Sequence, residues 1–216
     1  MYPGAHLAAR PDHPAVIMSD SGWTQTYAEL DAAANRLSRL FRAAGLQPGD
    51  HVALCLENHP RFMELVWGCE YAGLIYTAAS ARLTTDELAY VVDDCGARAF
   101  ITSRYKADQA AAIVGTTPGV ELRLMLDGVA AGHDSYEDAV AQHEPTPLPD
   151  RVAGVDMLYS SGTTGRPKGV LPAFEAKPLE ERVTGVTMLM QLLFGMDDTK
   201  VYLSPAPLYH AAPLRF

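Results

Sequence analysis

Cysteine is scarce in this 216-residue chain: Cys55, Cys69 and Cys95 are the only three, and no two form a CxxC pair. Each sits inside an apolar stretch, so buried, reduced thiols are expected and a disulfide framework is not. The seven histidines are scattered without ligand spacing, which leaves no zinc pattern. Basic residues are also few. Lys and Arg total 17 against 26 Asp and Glu, a formal charge of -9. A nucleic-acid binder needs net basic surface against phosphate, so no nucleic-acid partner is expected. The same balance does not bear on small anions, which a local site can hold. No run approaches the roughly 18 apolar residues that span a membrane. The chain opens without a basic segment followed by an apolar one. The expectation is a cytoplasmic protein with no integral membrane segment.

What is present is ordinary globular composition, 48% hydrophobic and 20% charged, with enough length to bury a core. The apolar run at 15–18, a turn cluster and the segment 23–26 read as a β-hairpin. Thr26, with Glu29 three residues on, starts a helix to about residue 44 whose apolar positions recur at helical spacing, and Gly45 ends it. Strands are expected at 51–56, 75–79, 99–102 and 122–126. Helices fall between them, at 60–72, from Thr84 to about 95, and more weakly at 107–114, with a short helix from Ser135 to about 142. Strands alternating with helices imply a mostly parallel sheet covered on its faces, an α/β fold. The proline-rich stretch 144–150 is either a subdomain boundary or a surface loop. Beyond it, a strand at 155–159, a helix at 180–194 and a strand at 200–204 are expected.

One segment carries the chemistry. Residues 160–169, Ser-Ser-Gly-Thr-Thr-Gly-Arg-Pro-Lys-Gly, pack four hydroxyls, three glycines, an arginine and a lysine behind an apolar strand. Glycines allow the backbone to approach a ligand closely. Successive N–H groups in such a turn attract anions, hydroxyls add donors, and Lys168 adds a mobile point charge. Together they describe a polyphosphate cradle. A flexible Gly/Ser/Thr surface loop is the bland alternative, and the fixed order, the lysine and the preceding strand argue against it. The Walker A spacing is not met, since Pro167 precedes the lysine and extended chain, not a helix, follows.

Residues 160–169 resemble the signature loop of the adenylate-forming superfamily, which includes acyl-CoA synthetases, peptide-synthetase adenylation domains and luciferases. The resemblance extends along the chain, through 26–30 with 34–37, 45–53, 82–88 with 93–97, and the aromatic-His segment Ser204-Pro205-Ala206-Pro207-Leu208-Tyr209-His210. The last two look more like acyl-CoA synthetases than peptide-synthetase domains. The resemblance implies mostly parallel β-sheets flanked by helices in a truncated N-terminal domain. It implies a first, Rossmann-like subdomain over 1–150 and the start of a second, carrying the phosphate loop, over 151–216. It implies a ligase that joins a carboxylic acid to ATP, giving acyl-AMP and pyrophosphate, and then passes the acyl group to coenzyme A.

Carried over by position, Ser161, Gly162, Thr163, Thr164 and Gly165 would wrap the β- and γ-phosphates. Lys168 would pair with them or clamp the loop, and Ser160 would serve phosphate or Mg²⁺. His210 would sit beside the acyl carboxylate, with Tyr209 lining the acyl pocket. Taken alone, Tyr209-His210 reads as core packing near a strand end.

Two departures from the family pattern stand out. Residues 171–179 replace a Ser/Thr-His-x-Asn helix start with a longer, proline-bearing segment. The family's downstream motifs, hinge and C-terminal lysine have no counterpart here, so the chain is expected to be inactive alone. It is also expected to self-associate through the face that includes Leu189, Leu192, Leu193 and Phe194. A non-catalytic nucleotide-binding module, and a ligase loading a carrier-protein thiol, remain as alternatives.

Overall fold

The computed structural model describes residues 2–160, 166–171, 173–182, 185–197 and 199–215. Strands β1 (Pro14–Ile17) and β2 (Thr24–Thr26) form the expected antiparallel hairpin. It leads into α1 (Tyr27–Ala43), whose capping box is complete: the Glu29 N–H donates to the Thr26 hydroxyl at 3.2 Å and the Thr26 N–H to the Glu29 carboxylate at 2.8 Å. The alternation then runs β3 (His51–Cys55), α2 (Phe62–Ala72), β4 (Ile75–Ala78), α3 (Thr85–Asp94), β5 (Ala97–Ser103), α4 (Ala107–Ile113), β6 (Leu122–Leu126), β7 (Asp134–Ser135) and α5 (Tyr136–Ala141). Next come β8 (Val155–Asp156), β9 (Leu158–Ser160), β10 (Lys168–Val170), α6 (Gly185–Phe194) and α7 (Ala211–Arg215).

Six strands form one parallel sheet in the order β7-β6-β5-β3-β4-β8. Side chains alternate across it, as the strand period requires. Val52, Leu54, Ile101 and Leu124 pack under α1, α2 and α5, against Leu37, Phe41, Leu65 and Tyr136. Ala53, Cys55, Phe100 and Met125 pack on the other face, with Leu88, Val91 and Val92 of α3 and Ile113 of α4. The result is a helix–sheet–helix sandwich whose strands are buried on both sides, which is why they read as continuous apolar runs. All three cysteines are buried within it. Burial lifts the Cys55 thiol to about 12 and the Cys95 thiol to about 11. Among the described residues, no helix is long and apolar enough to cross a membrane.

The structure departs from the sequence expectation after residue 154. The run at 155–159 serves two sheets. Val155 and Asp156 extend the parallel sheet beside β4, and the Met157 N–H donates the last bond to Tyr76. From Leu158 the chain turns away to pair with β10. Of the helix expected at 180–194, the described residues show Gly185–Phe194 as helix and 180–182 as not part of it. A 3-10 turn at Leu179–Glu181 follows Pro178, and Arg182 is extended (φ −71°, ψ 112°), its guanidinium docked on a buried carboxylate. The strand expected at 200–204 joins no sheet among the described residues, and Val201 and Leu203 lie 84% and 73% exposed. An apolar run without a neighbouring strand has no ladder to complete. On α6, Leu192, Leu193 and Phe194 are exposed. Helix α7 was not anticipated.

Gly154 is where the sheet edge closes. A Cβ there would stand 2.5 Å from the Leu74 carbonyl oxygen and 2.8 Å from that of Cys69, both rigid backbone. Gly154→Ala is expected to lower stability by about 1–3 kcal/mol through overpacking, read as a fall in the thermal midpoint.

Candidate functional site

The phosphate-loop segment is mounted on a two-stranded hairpin. Strands β9 and β10 are antiparallel, with Lys168 opposite Ser160, Gly169 opposite Tyr159 and Val170 opposite Leu158. Ser161, Gly162, Thr163, Thr164 and Gly165 lie outside the described residues. Two of the residues assigned from the sequence, Ser160 and Lys168, are brought together at the base: the Ser160 hydroxyl donates to the Lys168 carbonyl at 3.4 Å, and the Lys168 side chain is exposed. Gly169 permits this packing, since a Cβ on it would meet the Met157 methyl at 2.2 Å and the Tyr159 ring at 3.1 Å.

Helix α3 holds both stems of the hairpin. On the incoming strand, the Tyr159 hydroxyl donates to the Asp94 carboxylate at 2.5 Å. On the outgoing side, the Tyr90 hydroxyl donates to the Pro167 carbonyl at 3.3 Å, and the Arg166 guanidinium lies 4.9 Å from the Tyr90 ring centroid. Burial, reinforced by Asp94, pushes both phenols above their ordinary range, so each stays a donor at neutral pH. Sequence reading missed Tyr90 and Asp94. One faint signal was available: the two are four residues apart and share a helix face.

The aromatic-His segment is anchored elsewhere. Tyr209 is buried in the core beside Leu214, while His210 is exposed with its ring 4.7 Å from the Tyr209 ring. The His210 N–H donates to the Pro207 carbonyl at 3.1 Å, closing a turn that runs into α7. At the far end of α7, Arg215 donates two bonds to the buried Asp156 carboxylate, at 2.9 and 2.6 Å. Among the described residues, no hydrogen bond links this turn to Ser160 or Lys168.

A second buried acid lies between these anchors. Glu70 on α2 accepts from Arg182 and from the Tyr76 hydroxyl. Burial lifts its carboxyl to about 7, against the pull of Arg182. Thus two buried acids, Glu70 on α2 and Asp156 on β8, tie down two arginines of the later segment. A cavity of about 210 Å³ opens beside this pair, lined by Ala153, Phe174, Lys177, Glu181 and Arg182. None of the sequence-assigned site residues lines it.

Among the described residues no three His, Cys, Asp or Glu side chains converge to hold a metal. The Ser160 hydroxyl, which the resemblance offers to phosphate or Mg²⁺, donates here to the Lys168 carbonyl.

Comparison with known proteins gives consistent matches. Residues 5–216 match the family described as AMP-binding enzyme. A feruloyl-CoA synthase from Amycolatopsis sp. is 35% identical over 209 residues, covering 95% of this chain and 38% of that protein. A fatty acid–[acyl-carrier-protein] ligase, ScoC, from Streptomyces coeruleorubidus is 34% identical over 172 residues, covering 78% of this chain and 31% of its own length. Among solved structures, a Mycobacterium tuberculosis fatty acyl CoA synthetase superposes with a TM-score of 0.75 at 22% identity, over 98% of this chain and 40% of that one, a likeness of fold. The chain therefore spans between three and four tenths of the curated relatives it matches here.

Proposed function

Because the chain belongs to the AMP-binding enzyme family, we propose that it is the N-terminal part of an ATP-dependent acyl-CoA synthetase. In this reading residues 1–150 form a first subdomain and 151–216 begin a second. The observation that carries it is the hairpin base: Ser160 and Lys168 in cross-strand register, with both stems tied to α3.

The physical problem is charge. A carboxylate must approach the α-phosphorus of a polyanion, and negative charge builds on the departing pyrophosphate. Backbone N–H groups of the loop, the Ser and Thr hydroxyls and the Lys168 ammonium would stabilise that charge more in the transition state than before it. Residues 161–165 would cradle the β- and γ-phosphates. Lys168, exposed at the foot of the loop, would reach the same oxygens. His210, projecting from its turn, would lie beside the acyl carboxylate, and Tyr209 would help wall the acyl pocket. Once the acyl-AMP bond has formed, the acyl group passes to the thiol of coenzyme A and AMP leaves.

The test is carboxylate-dependent exchange of labelled pyrophosphate into ATP by the full-length protein containing this chain, across a panel of aliphatic and aromatic acids. Exchange with at least one acid supports the reading. An intact, folded protein that exchanges with none removes it. A second reading, transfer to a carrier-protein thiol, draws support from the ScoC relative. Offering both thiols to the preformed acyl-adenylate separates the two.

The α3 anchor adds an expected result. Tyr90→Ala removes a hydrogen bond and a cation–π contact, together about 1–2 kcal/mol. The KM for ATP should rise about tenfold, while Tyr90→Phe, which keeps the ring, should recover most of that loss.

A further inference from the structure

The turn bearing Tyr209 and His210 is also tied to the central sheet, through a residue that the family resemblance did not mark. Asn58 lies three residues beyond the end of β3. Its side-chain nitrogen donates to the Ala206 carbonyl at 3.2 Å, and its side-chain oxygen accepts from the Leu208 N–H at 2.8 Å. Those two backbone groups flank Pro207, which has no N–H of its own to give. A primary amide carries a donor and an acceptor side by side, so Asn can satisfy both groups at once. Aspartate can satisfy only one, and alanine neither.

On the other side of His210 the chain is fixed as well. Leu214 is sunk in the core, and Arg215 holds Asp156. His210 therefore projects from a backbone held before and after it. We propose that Asn58 is a positioning residue for the acyl site: its amide clamps the Ala206–Leu208 backbone onto the carboxyl end of β3 and so sets where His210 meets the carboxylate. This inference rests on the acyl-adenylating reading given above.

The test uses the full-length enzyme with Asn58→Ala, Asn58→Asp, His210→Ala and the double variant Asn58→Ala with His210→Ala. In Asn58→Ala, kcat/KM for the carboxylic acid should fall about tenfold, the loss expected from two neutral hydrogen bonds. The KM for ATP and the thermal midpoint should hold near wild type, and hydrogen exchange at the Leu208 amide should quicken. Asn58→Asp, which keeps the acceptor, should protect the Leu208 amide better than alanine does. In the His210→Ala background, Asn58→Ala should cost less than twofold more, because the clamp acts through that imidazole.

Unchanged exchange at Leu208 overturns the clamp, whatever the kinetics. Faster exchange with a full tenfold loss in the His210→Ala background makes Asn58 a structural residue only, and overturns its positioning role. A wild-type enzyme that forms no adenylate fails the functional reading itself, and the inference falls with it. That failure is seen before any variant is compared.

Discussion

Lys168→Ala is expected to slow acyl-adenylate formation about 100-fold or more in the full-length enzyme while leaving the fold in place. The separation of the two effects follows from where the residue sits. Lys168 holds its register opposite Ser160 through backbone pairing. Its side chain is exposed and supports no core contact, so truncation costs the hairpin little. What would be lost, on the proposed reading, is a cation aimed at charge that grows as pyrophosphate departs. Removing one such preorganised group typically costs a factor of 10² to 10³, about 3–4 kcal/mol. Lys168→Arg should recover only part of the rate, because a planar fork does not replace a compact point charge at the same reach. Single-turnover formation of acyl-AMP at saturating ATP reads the chemical step directly, and circular dichroism checks the fold. A variant that forms acyl-AMP at the wild-type rate would remove Lys168 from the site.

The first 126 residues were legible because each element carries its own start and stop. Thr26 with Glu29, and Thr84 with Glu87, form the capping boxes that their spacing suggests. Gly45 and Gly73 take the left-handed conformation that ends a helix. Buried strands such as Ile75–Ala78 announce themselves as short, largely apolar runs. After residue 154 those local signals give way to long-range ones. The split between β8 and β9 depends on β4 and β10 standing where they do, which no window of sequence contains. The apolar residues 200–204 satisfy a strand pattern yet find no ladder among the described residues. At the candidate site, the side chains proposed to bear chemistry were read from composition and order. The residues that hold them in place were not. Tyr90, Asp94 and Asn58 act across 65 to 150 positions of chain, and their roles are set by packing alone.

A stability effect under pH control is expected at the Glu70–Arg182 pair. Glu70 is fully enclosed on α2, and burial holds its carboxyl near 7 even with Arg182 against it. In the unfolded chain the same group titrates near 4.5. Between those values the folded state binds more protons than the unfolded state, so stability falls as pH rises. The contribution is fully present below about 4.5 and is lost through about 7, a range of about 3 kcal/mol. Arg182→Met removes the one cation that draws the folded value down. The Glu70 carboxyl then rises further, and the loss of stability extends to higher pH. Denaturant unfolding should therefore show the variant close to wild type at pH 5. At pH 8 it should be weaker by about 1 kcal/mol, because the folded variant still holds the proton that wild type has released above about 7. Adding Glu70→Gln should restore most of that loss at pH 8, since the side chain is then neutral in both states. An equal deficit at both pH values would show that Arg182 contributes packing and not charge. The pair matters beyond stability because Arg182 lies on the path from β10 to α6. Its release should free the exit of the phosphate hairpin from the sheet edge, so the pH 8 variant should also show a raised KM for ATP.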